Sequence, residues 1–173
     1  MNADLEDKVV LVTGGAGGIG SVISKSFAEQ GARVIIHYNH SKDNAEKISK
    51  QIGGLAINAD LTDPKQTKEL FKHIIEKEGK IDVCIANAGK YPKDYAPLWE
   101  IESSRWDNTI STNLSLAFNT SRYFLKHVSE TKKGSLVLIG STAGIYGEAG
   151  HADYAAAKGA ITSGPVSYTH LTL

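Results

Sequence analysis

Residues 9–20 read VVLVTGGAGGIG, and this stretch decides the fold class. The β-branched apolar run Val9–Thr13 predicts a buried strand, and five of the next seven residues are glycine. Glycines permit a tight turn and let backbone N–H groups come close to a phosphate. A helical spacing of apolar residues follows, so the turn opens a helix whose N-terminus carries partial positive charge. Strand, glycine-rich turn and helix in this order predict a dinucleotide-binding unit.

Two glycine spacings fit this turn. The pattern G-x-G-x-x-G begins at Gly15, whereas T-G-x-x-x-G-x-G begins at Thr13, and both end at Gly20. Either pattern places a phosphate at the start of the following helix. The residues of the turn alone leave the choice between the two patterns open.

Strand and helix patterns alternate along the rest of the chain. The predicted strands are Arg33–His37, Leu55–Asn58, Ile81–Asn87 and Ser135–Gly140. The predicted helices are Ser21–Gln30, Asn44–Gln51, Lys65–Lys77, one long helix over Ser104–Ser129, and a helix near Ala152–Ser163. Lys90–Ile101 is predicted to be irregular. This alternation indicates an α/β protein with a doubly wound parallel sheet, the Rossmann fold.

We expect a single domain over residues 1–164 that stops after the fifth strand and the following helix. Residues 165–173 are expected to be a non-native tail, because Val166–Leu173 reads VSYTHLTL and is similar to a translated sequencing adapter. A sheet that stops there leaves one side of the fifth strand unpaired. We therefore expect this chain to be poorly stable and weakly active or inactive.

Composition argues against several classes of partner. The 173 residues carry 19 basic and 19 acidic side chains, and this neutral balance favours neither nucleic acid nor an anionic membrane as a partner. Met1–Lys8 has no signal-peptide pattern, and no apolar run approaches the roughly 20 residues of a membrane-spanning helix, so the expected location is the cytoplasm. The one cysteine, Cys84, lies in an apolar run and is expected to be a core thiol. No cluster of cysteine and histidine predicts a metal.

The end of the second predicted strand bears on the choice of cofactor. An acidic residue there would bond the ribose hydroxyls of NAD and repel the 2′-phosphate of NADP. This chain reads HYNHSK over residues 37–42, with no acid before Asp43. Because Lys42, His40 and Ser41 can bind a phosphate, NADP is the preferred cofactor, with NAD as the alternative.

A second group of polar residues lies near the C-terminal end. Tyr154 and Lys158 are separated by one helical turn, which puts both on one helix face. Ser141 closes the fifth predicted strand. Together with the glycine turn, these residues resemble the short-chain dehydrogenase/reductase family. The resemblance spans about Asp7–Ser163.

Five ordered features carry this resemblance: TGGAGGIG at residues 13–20, Asp60, ANAG at residues 86–89, Asn113, and Ser141 followed by YAAAK. T-G-x-x-x-G-x-G is the pattern expected of the shorter members of the family. Within the family, the chain looks most similar to the 3-oxoacyl-acyl-carrier-protein reductase branch.

The resemblance implies a role for each catalytic residue. Tyr154 is implied to be the acid–base group, and the Lys158 ammonium to stabilise its phenolate, since a free tyrosine with a pKa of about 10 is a poor base near neutrality. Ser141 is implied to hydrogen-bond the substrate oxygen as charge develops there. The resemblance further implies that Lys158 bonds the nicotinamide ribose and that Asn113 holds a water in a proton relay through Lys158.

The family also implies cofactor contacts, with Asp60 against the adenine. The implied residues are Thr13, Gly14, Gly18, Ile19, Gly20, Tyr38, Asn39, Ser41, Lys42, Asp60, Leu61, Asn87, Ala88, Gly89, Tyr154 and Lys158. The expected function is hydride transfer between NAD(P)(H) and a small carbonyl or alcohol substrate, in a parent protein that forms homodimers or homotetramers. Two alternatives stay open: a nucleotide-binding redox sensor without catalysis, and an epimerase or dehydratase with a related tyrosine–lysine pair.

Overall fold

The computed structural model describes residues 4–164, so the predicted tail at 165–173 lies outside the described residues. The strands are β1 (Val9–Val12), β2 (Arg33–Tyr38), β3 (Leu55–Asn58), β4 (Val83–Ala86) and β5 (Ser135–Leu138). The helices are α1 (Gly18–Glu29), α2 (Lys42–Ile52), α3 (Pro64–Glu78), α4 (Ser103–Ile110), α5 (Leu116–Thr131), α6 (Ala143–Tyr146) and α7 (Ala152–Ser163).

All five strands form one parallel sheet in the order β3-β2-β1-β4-β5. The central strand β1 pairs with β2 on one side and β4 on the other, so that Val10 lies opposite Val34 and Val83. The strand order reverses between β1 and β4, which is where doubly wound folds open a crevice at the carboxyl ends of the strands. The predicted α/β fold class is confirmed.

The sheet is covered on both faces. Val9 and Leu11 belong to a core shared with α3 and α5, whereas Val10 and Val12 belong to a core shared with α1 and α2. This alternation follows from the two-residue period of a strand, and burial of both faces explains why the strands are continuously apolar. Cys84 is fully buried in the first core, and burial raises the pKa of its thiol.

The long helix predicted over Ser104–Ser129 is interrupted. Ser111–Ser115 forms a π-helical turn between α4 and α5, with the fully buried Asn113 at its centre. The side chain of Asn113 donates from Nδ2 to the Thr109 carbonyl at 3.0 Å, an oxygen that lies one α-helical turn earlier. The apolar spacing continues through the insertion, so the periodicity did not reveal it. π-Turns of this kind are frequent at functional sites.

Other details also differ from the sequence-based prediction. β5 ends at Leu138, so Ser141 lies three residues past the strand and does not close it. The predicted glycine-rich loop after β5 contains the short helix α6, and the predicted irregular stretch contains a 3₁₀ turn at Leu98–Glu100. Within residues 4–164, no helix combines the length and the apolar character needed to cross a membrane.

Candidate active site

A cavity of about 850 Å³ lies at the carboxyl ends of β1, β2 and β4, within the size range of ligand sites. The turns that follow these strands form its wall. Twelve residues predicted from the sequence to bind the cofactor line it: Gly14, Gly18, Ile19, Gly20, Tyr38, Asn39, Ser41, Asp60, Leu61, Asn87, Ala88 and Gly89. The fold therefore brings together four segments that are distant in the sequence: residues 14–20, 38–41, 60–61 and 87–89.

The start of α1 offers backbone donors to this cavity. Helical hydrogen bonding begins with the Ser21 N–H, which bonds the Gly17 carbonyl at 2.8 Å. The N–H groups of Gly18, Ile19 and Gly20 precede that bond, and the first turn of α1 carries no acidic side chain. Three such donors and the positive end of the helix dipole form a site that suits a phosphate.

Close packing under the turn depends on Gly20. A Cβ at this position would overlap the Gly14 carbonyl oxygen and would lie 2.8 Å from Asn87 Nδ2. Asn87 Nδ2 itself donates to the Thr13 carbonyl at 2.9 Å, which ties the β1 turn to the β4 turn. The missing side chain at Gly20 is therefore what lets α1 start against β1.

Thr13 supports this turn from below and is not among the cavity-lining residues. It is fully buried, and its hydroxyl oxygen accepts hydrogen bonds from the backbone N–H groups of Asn87 and Ala88, each at 3.0 Å. The same hydroxyl donates to the Ile85 carbonyl at 3.3 Å. Thr13 thus joins the ends of β1 and β4, and a direct cofactor contact by Thr13 stays a prediction.

His37 holds the turn from the side of β2, and sequence reasoning missed this role. Its Nδ1 accepts a hydrogen bond from the Gly14 N–H at 3.1 Å, and its Nε2 donates to the Ala59 carbonyl at 2.9 Å. The Gly15 N–H bonds the His37 carbonyl at 3.0 Å. Burial lowers the pKa of His37 from 6.5 to about 4, against weaker opposing effects of Ala59 and Asp60. The imidazole is therefore neutral, as the acceptor at Nδ1 requires.

The turn after β2 supplies the residues predicted to face the ribose. Asn39, His40 and Ser41 line the cavity. Lys42 does not line it and lies 3.7 Å from Glu46 in an exposed ion pair. Of the residues in this turn that were predicted to contact the cofactor, Lys42 is therefore the one that does not line the cavity.

Asp60 lines the cavity beyond β3, where the adenine was predicted to lie. Its Oδ1 accepts hydrogen bonds from the Thr62 backbone N–H at 2.9 Å and from the Thr62 hydroxyl at 2.7 Å. These bonds fix the orientation of the carboxylate at the rim of the cavity. Leu61 is buried beside it.

The second group of predicted residues gathers near Gly89. A Cβ on Gly89 would lie 2.8 Å from Asn113 Oδ1 and 3.7 Å from Lys158 Nζ, so both polar groups surround this glycine. Asn113 is held in place by Lys90, whose N–H donates to Oδ1 at 3.2 Å and whose carbonyl accepts from Nδ2 at 2.9 Å. Asn113 and Lys158 therefore meet where the β4 turn closes the nucleotide cavity.

Tyr154 and Lys158 share one face of α7, as predicted. The Lys158 Nζ lies 5.8 Å from the centroid of the Tyr154 ring and donates to the Ile139 carbonyl at 2.8 Å. Lys158 is buried, and desolvation lowers the pKa of its ammonium. A buried cation with few partners raises the local potential at the half-buried Tyr154.

Ser141 reaches α7 through the short helix that follows it. Its Oγ accepts a hydrogen bond from the Ala143 N–H at 3.2 Å. In α6, a Cβ on Gly144 would lie 2.5 Å from the Lys158 carbonyl carbon, so α6 packs directly on the backbone of α7. The bare backbone of Gly144 therefore sets how closely α6, which follows Ser141, packs on the helix that carries Tyr154 and Lys158.

A polar cluster of Tyr91, Glu148 and His151 lies beside Tyr154, and of these residues sequence reasoning offered only Tyr91 as part of a candidate substrate wall. The Tyr91 ring meets the Tyr154 ring edge-on, with centroids 5.1 Å apart, and also packs on His151 at 4.7 Å. The Tyr91 hydroxyl donates to Glu148 Oε1 at 2.7 Å, and this bond, together with desolvation, raises the pKa of Tyr91. His151 Nε2 is buried and has no hydrogen-bond partner among residues 4–164. Only the aromatic content of the stretch around Tyr91 could have signalled this wall.

Residues 8–164 match the family described as short chain dehydrogenase. The chain belongs to this family. The match covers almost all of the described residues and agrees with the glycine turn, the parallel sheet and the tyrosine–lysine helix.

Several curated members of the family are similar to this short-chain dehydrogenase. The 3-oxoacyl-[acyl-carrier-protein] reductase of Thermotoga maritima is 37% identical over 162 residues, which are 91% of this chain and 65% of the relative. Versicolorin reductase 1 of Aspergillus parasiticus is 34% identical over 166 residues, or 92% and 62%. The 3-oxoacyl-[acyl-carrier-protein] reductase of Escherichia coli is 34% identical over 157 residues, or 90% and 63%. The chain thus spans less than two thirds of the length of these relatives.

Proposed function

We propose that this short-chain dehydrogenase transfers hydride between a nicotinamide dinucleotide and a small carbonyl or alcohol substrate, with Tyr154 as the acid–base group. The observation that carries the proposal is the position of Lys158. Its ammonium lies on the Tyr154 face of α7 and, at the same time, beside Gly89 at the end of the nucleotide cavity. The Lys158 ammonium is thereby close both to the Tyr154 ring and to Gly89, where the nicotinamide is proposed to lie.

The donor set of the cavity fits a dinucleotide. The N–H groups of Gly18, Ile19 and Gly20 suit a pyrophosphate, and the cavity extends from there past Asp60 on one side and to Gly89 on the other. When bound, the nicotinamide accepts or supplies the hydride. Proton transfer and stabilisation of charge are carried out by side chains of the protein.

In the direction of reduction, Tyr154 donates its phenolic proton to the carbonyl oxygen. The Ser141 hydroxyl hydrogen-bonds the same oxygen as it gains negative charge. The Lys158 ammonium stabilises the resulting phenolate, and its lowered pKa makes it a more ready proton donor to that phenolate. Asn113, held by both backbone groups of Lys90, positions a water that relays a proton from solvent to Lys158 and so restores its ammonium.

We propose NADP as the preferred cofactor. The cavity beyond β2 is lined by Asn39, His40 and Ser41, none of which would repel a 2′-phosphate, and Asp43 is not among its lining residues. A lower dissociation constant for NADPH than for NADH supports this preference, and the reverse order contradicts it.

We also propose that the working form is a homodimer or homotetramer, and the cytoplasmic location stays a prediction. Phe118 on α5 is 58% exposed, and an apolar ring on an outer helix is suited to a contact between subunits.

The test is to replace Tyr154 by phenylalanine in a version of the protein extended to the full length of its relatives. We expect Tyr154→Phe to lower carbonyl reduction at least about a thousandfold, because the proton donor is lost, while the dissociation constant for NADPH changes less than twofold. Oxidation of NADPH over a panel of ketones and aldehydes gives the rate, and quenching of tryptophan fluorescence gives the affinity. Tyr123→Phe is the matched control, since Tyr123 packs against Phe71 on α3.

Three results would count against the proposal. Retained turnover in Tyr154→Phe contradicts the acid–base role. A loss of NADPH binding in the same variant shows that Tyr154 is needed for the fold or the cofactor site. Tight NADPH binding without turnover by the unchanged full-length protein on any carbonyl favours the redox-sensor alternative.

A further inference from the structure

The guanidinium of Arg105, on α4, makes four hydrogen bonds to three different partners. Its Nε and Nη2 donate to the two oxygens of Asp153 at 3.0 and 3.3 Å, in a two-pronged pairing. Nη1 donates to the Asp94 carbonyl at 2.7 Å, and Nη2 also donates to the Gly150 carbonyl at 3.1 Å. Planar, forked donors of this kind fix the relative orientation of the groups that they join.

Asp153 is buried at the start of the helix that carries Tyr154 and Lys158. Its side chain has 0% exposure, and Thr109 adds a third side-chain hydrogen bond from its hydroxyl at 2.8 Å. Burial alone would raise the pKa of Asp153, but the hydrogen bonds from Arg105 and Thr109 and the positive charge of Arg105 hold it below its usual value. A carboxylate buried in this way is tolerable only while its donors stay in place.

These contacts link four segments around Tyr154. They are the stretch of residues 90–97, helix α4, the turn at residues 148–151 and helix α7. The Ala96 N–H bonds the Gly150 carbonyl at 3.2 Å, so the first and third segments also touch directly. Tyr91, which meets the Tyr154 ring edge-on, belongs to the first segment.

A second hollow of about 560 Å³ lies under the stretch of residues 90–94 and against α4. Arg105 and Tyr91 line it, and it shares Lys90, Asn108 and Thr112 with the nucleotide cavity. The two spaces therefore adjoin, and Arg105, with its four hydrogen bonds, forms part of the wall of the smaller one. Arg105, Thr109 and Asp153 are not among the residues that line the nucleotide cavity.

We propose that Arg105 and Asp153 are positioning residues. They hold Tyr154 and the stretch of residues 90–97 in a fixed position relative to each other, so that the substrate meets the phenol at a fixed place. This inference rests on the proposed function, because it assigns the pair to the reaction of Tyr154. The pair touches neither the reacting atoms nor the nucleotide cavity. Its loss therefore affects the carbonyl substrate and leaves the dinucleotide in place.

The test compares three substitutions with a matched control, all made in the same full-length version of the protein. Asp153→Asn keeps the size of the side chain but removes its charge, and Arg105→Gln removes the guanidinium. Thr109→Val removes a single donor to Asp153 and is the mild variant that keeps the proposal testable if the other two fold poorly. The control is Arg33→Gln, which breaks the ion pair between Arg33 and Glu78 at 2.8 Å, far from Tyr154 along the chain.

We expect Asp153→Asn and Arg105→Gln to lower kcat/KM for a carbonyl substrate at least tenfold, and Thr109→Val about threefold. The dissociation constant for NADPH is expected to stay within twofold, and Arg33→Gln to leave both quantities unchanged. A role confined to stability would alter both quantities together through the fraction of folded protein, so the split between them reports positioning.

Hydrogen–deuterium exchange provides a readout that needs no turnover. In Asp153→Asn and Thr109→Val we expect amide exchange to rise at least tenfold and threefold, respectively, in residues 90–97 and 152–159, with unchanged exchange in β1 and β2. Unchanged exchange in those two segments, or an equal rise in every segment, overturns the inference. If the unchanged full-length protein shows no turnover, the proposed function fails, and the exchange pattern alone then decides whether the pair holds the two segments together.

Discussion

The two ends of the cleft, at the glycine-rich turn and at Tyr154, are formed by different kinds of groups. At the nucleotide end, Gly18, Ile19 and Gly20 line the cavity at the start of α1, where the backbone N–H groups precede the first helical hydrogen bond, and the packing beneath them depends on the absence of a Cβ at Gly20. At the catalytic end, the decisive groups are the buried side chains of Lys158 and Asp153. The nucleotide end depends on the absence of a side chain at Gly20, whereas the other end depends on side chains that are distant in the sequence and meet in the fold.

This difference determines how each end can fail. A backbone site tolerates changes of charge nearby but not an added atom at a point of close approach. A site of buried ions tolerates changes of shape at its margin but not the loss of a partner, because an unpaired buried charge costs several kcal/mol. The predictions below test whether the two ends are separable in this way.

The largest expected effect is that of Gly20→Ala. The added Cβ would overlap the Gly14 carbonyl oxygen and press on Asn87, and both are fixed by hydrogen bonds. We expect the free energy of unfolding to fall by about 3 kcal/mol, the upper part of the range for overpacked sites, and NADPH binding to become undetectable. Urea denaturation and a fluorescence titration measure the two effects. Normal stability with normal binding would mean that the turn does not pack as described.

Acid should weaken the nucleotide end before the catalytic end. The pKa of His37 is about 4 in the folded protein, below the 6.5 of the free side chain. Between these two pH values the unfolded chain therefore binds a proton at His37 and the folded chain does not. Stability from the neutral imidazole is complete above about pH 6.5 and is lost as the pH falls to about 4, by roughly 3 kcal/mol. Asp153 has a lowered pKa, so its contribution is present above pH 3.8 and is lost only as the pH falls through the lower folded value.

Urea denaturation at a series of pH values between 7 and 4 checks this order. His37→Gln is the matched variant, since an amide can accept from Gly14 and donate to Ala59 without titrating. We expect its unfolding free energy to depend on pH by about 3 kcal/mol less over this window. Equal slopes in the two proteins would show that His37 does not control the acid response.

The sequence predicted the strand, glycine-rich turn and helix of the nucleotide end because the determinants of this turn are local. Glycine is required wherever backbones approach each other, so TGGAGGIG at residues 13–20 carries the geometry of the turn in its own spacing. The two-residue alternation in the core and the one-turn spacing of Tyr154 and Lys158 are local in the same sense. The sheet order then brought Gly89 to Lys158, as the fold class requires.

The residues that sequence reasoning missed act through long-range partners. Arg105 and Asp153 are 48 positions apart, and each is an ordinary polar residue in its own helix. His37 is read from the sequence as part of a strand, and its bond to Gly14 appears only when β2 lies beside β1. The π-turn at Ser111–Ser115 escaped because one extra residue in a turn barely disturbs an apolar spacing.

The smallest expected effect on stability is that of Gly18→Ala, and it separates binding from packing. A Cβ on Gly18 meets no atom within 4 Å, and Gly18 lines the nucleotide cavity at the start of α1. We expect the unfolding free energy to change by less than about 0.5 kcal/mol, since alanine is also the better helix former. The methyl group would occupy the space proposed for the pyrophosphate, so the dissociation constant for NADPH should rise at least about tenfold, or about 1.4 kcal/mol. Unchanged affinity in this folded variant would place the phosphates away from the start of α1, and the backbone donors of residues 18–20 would then lose their proposed ligand.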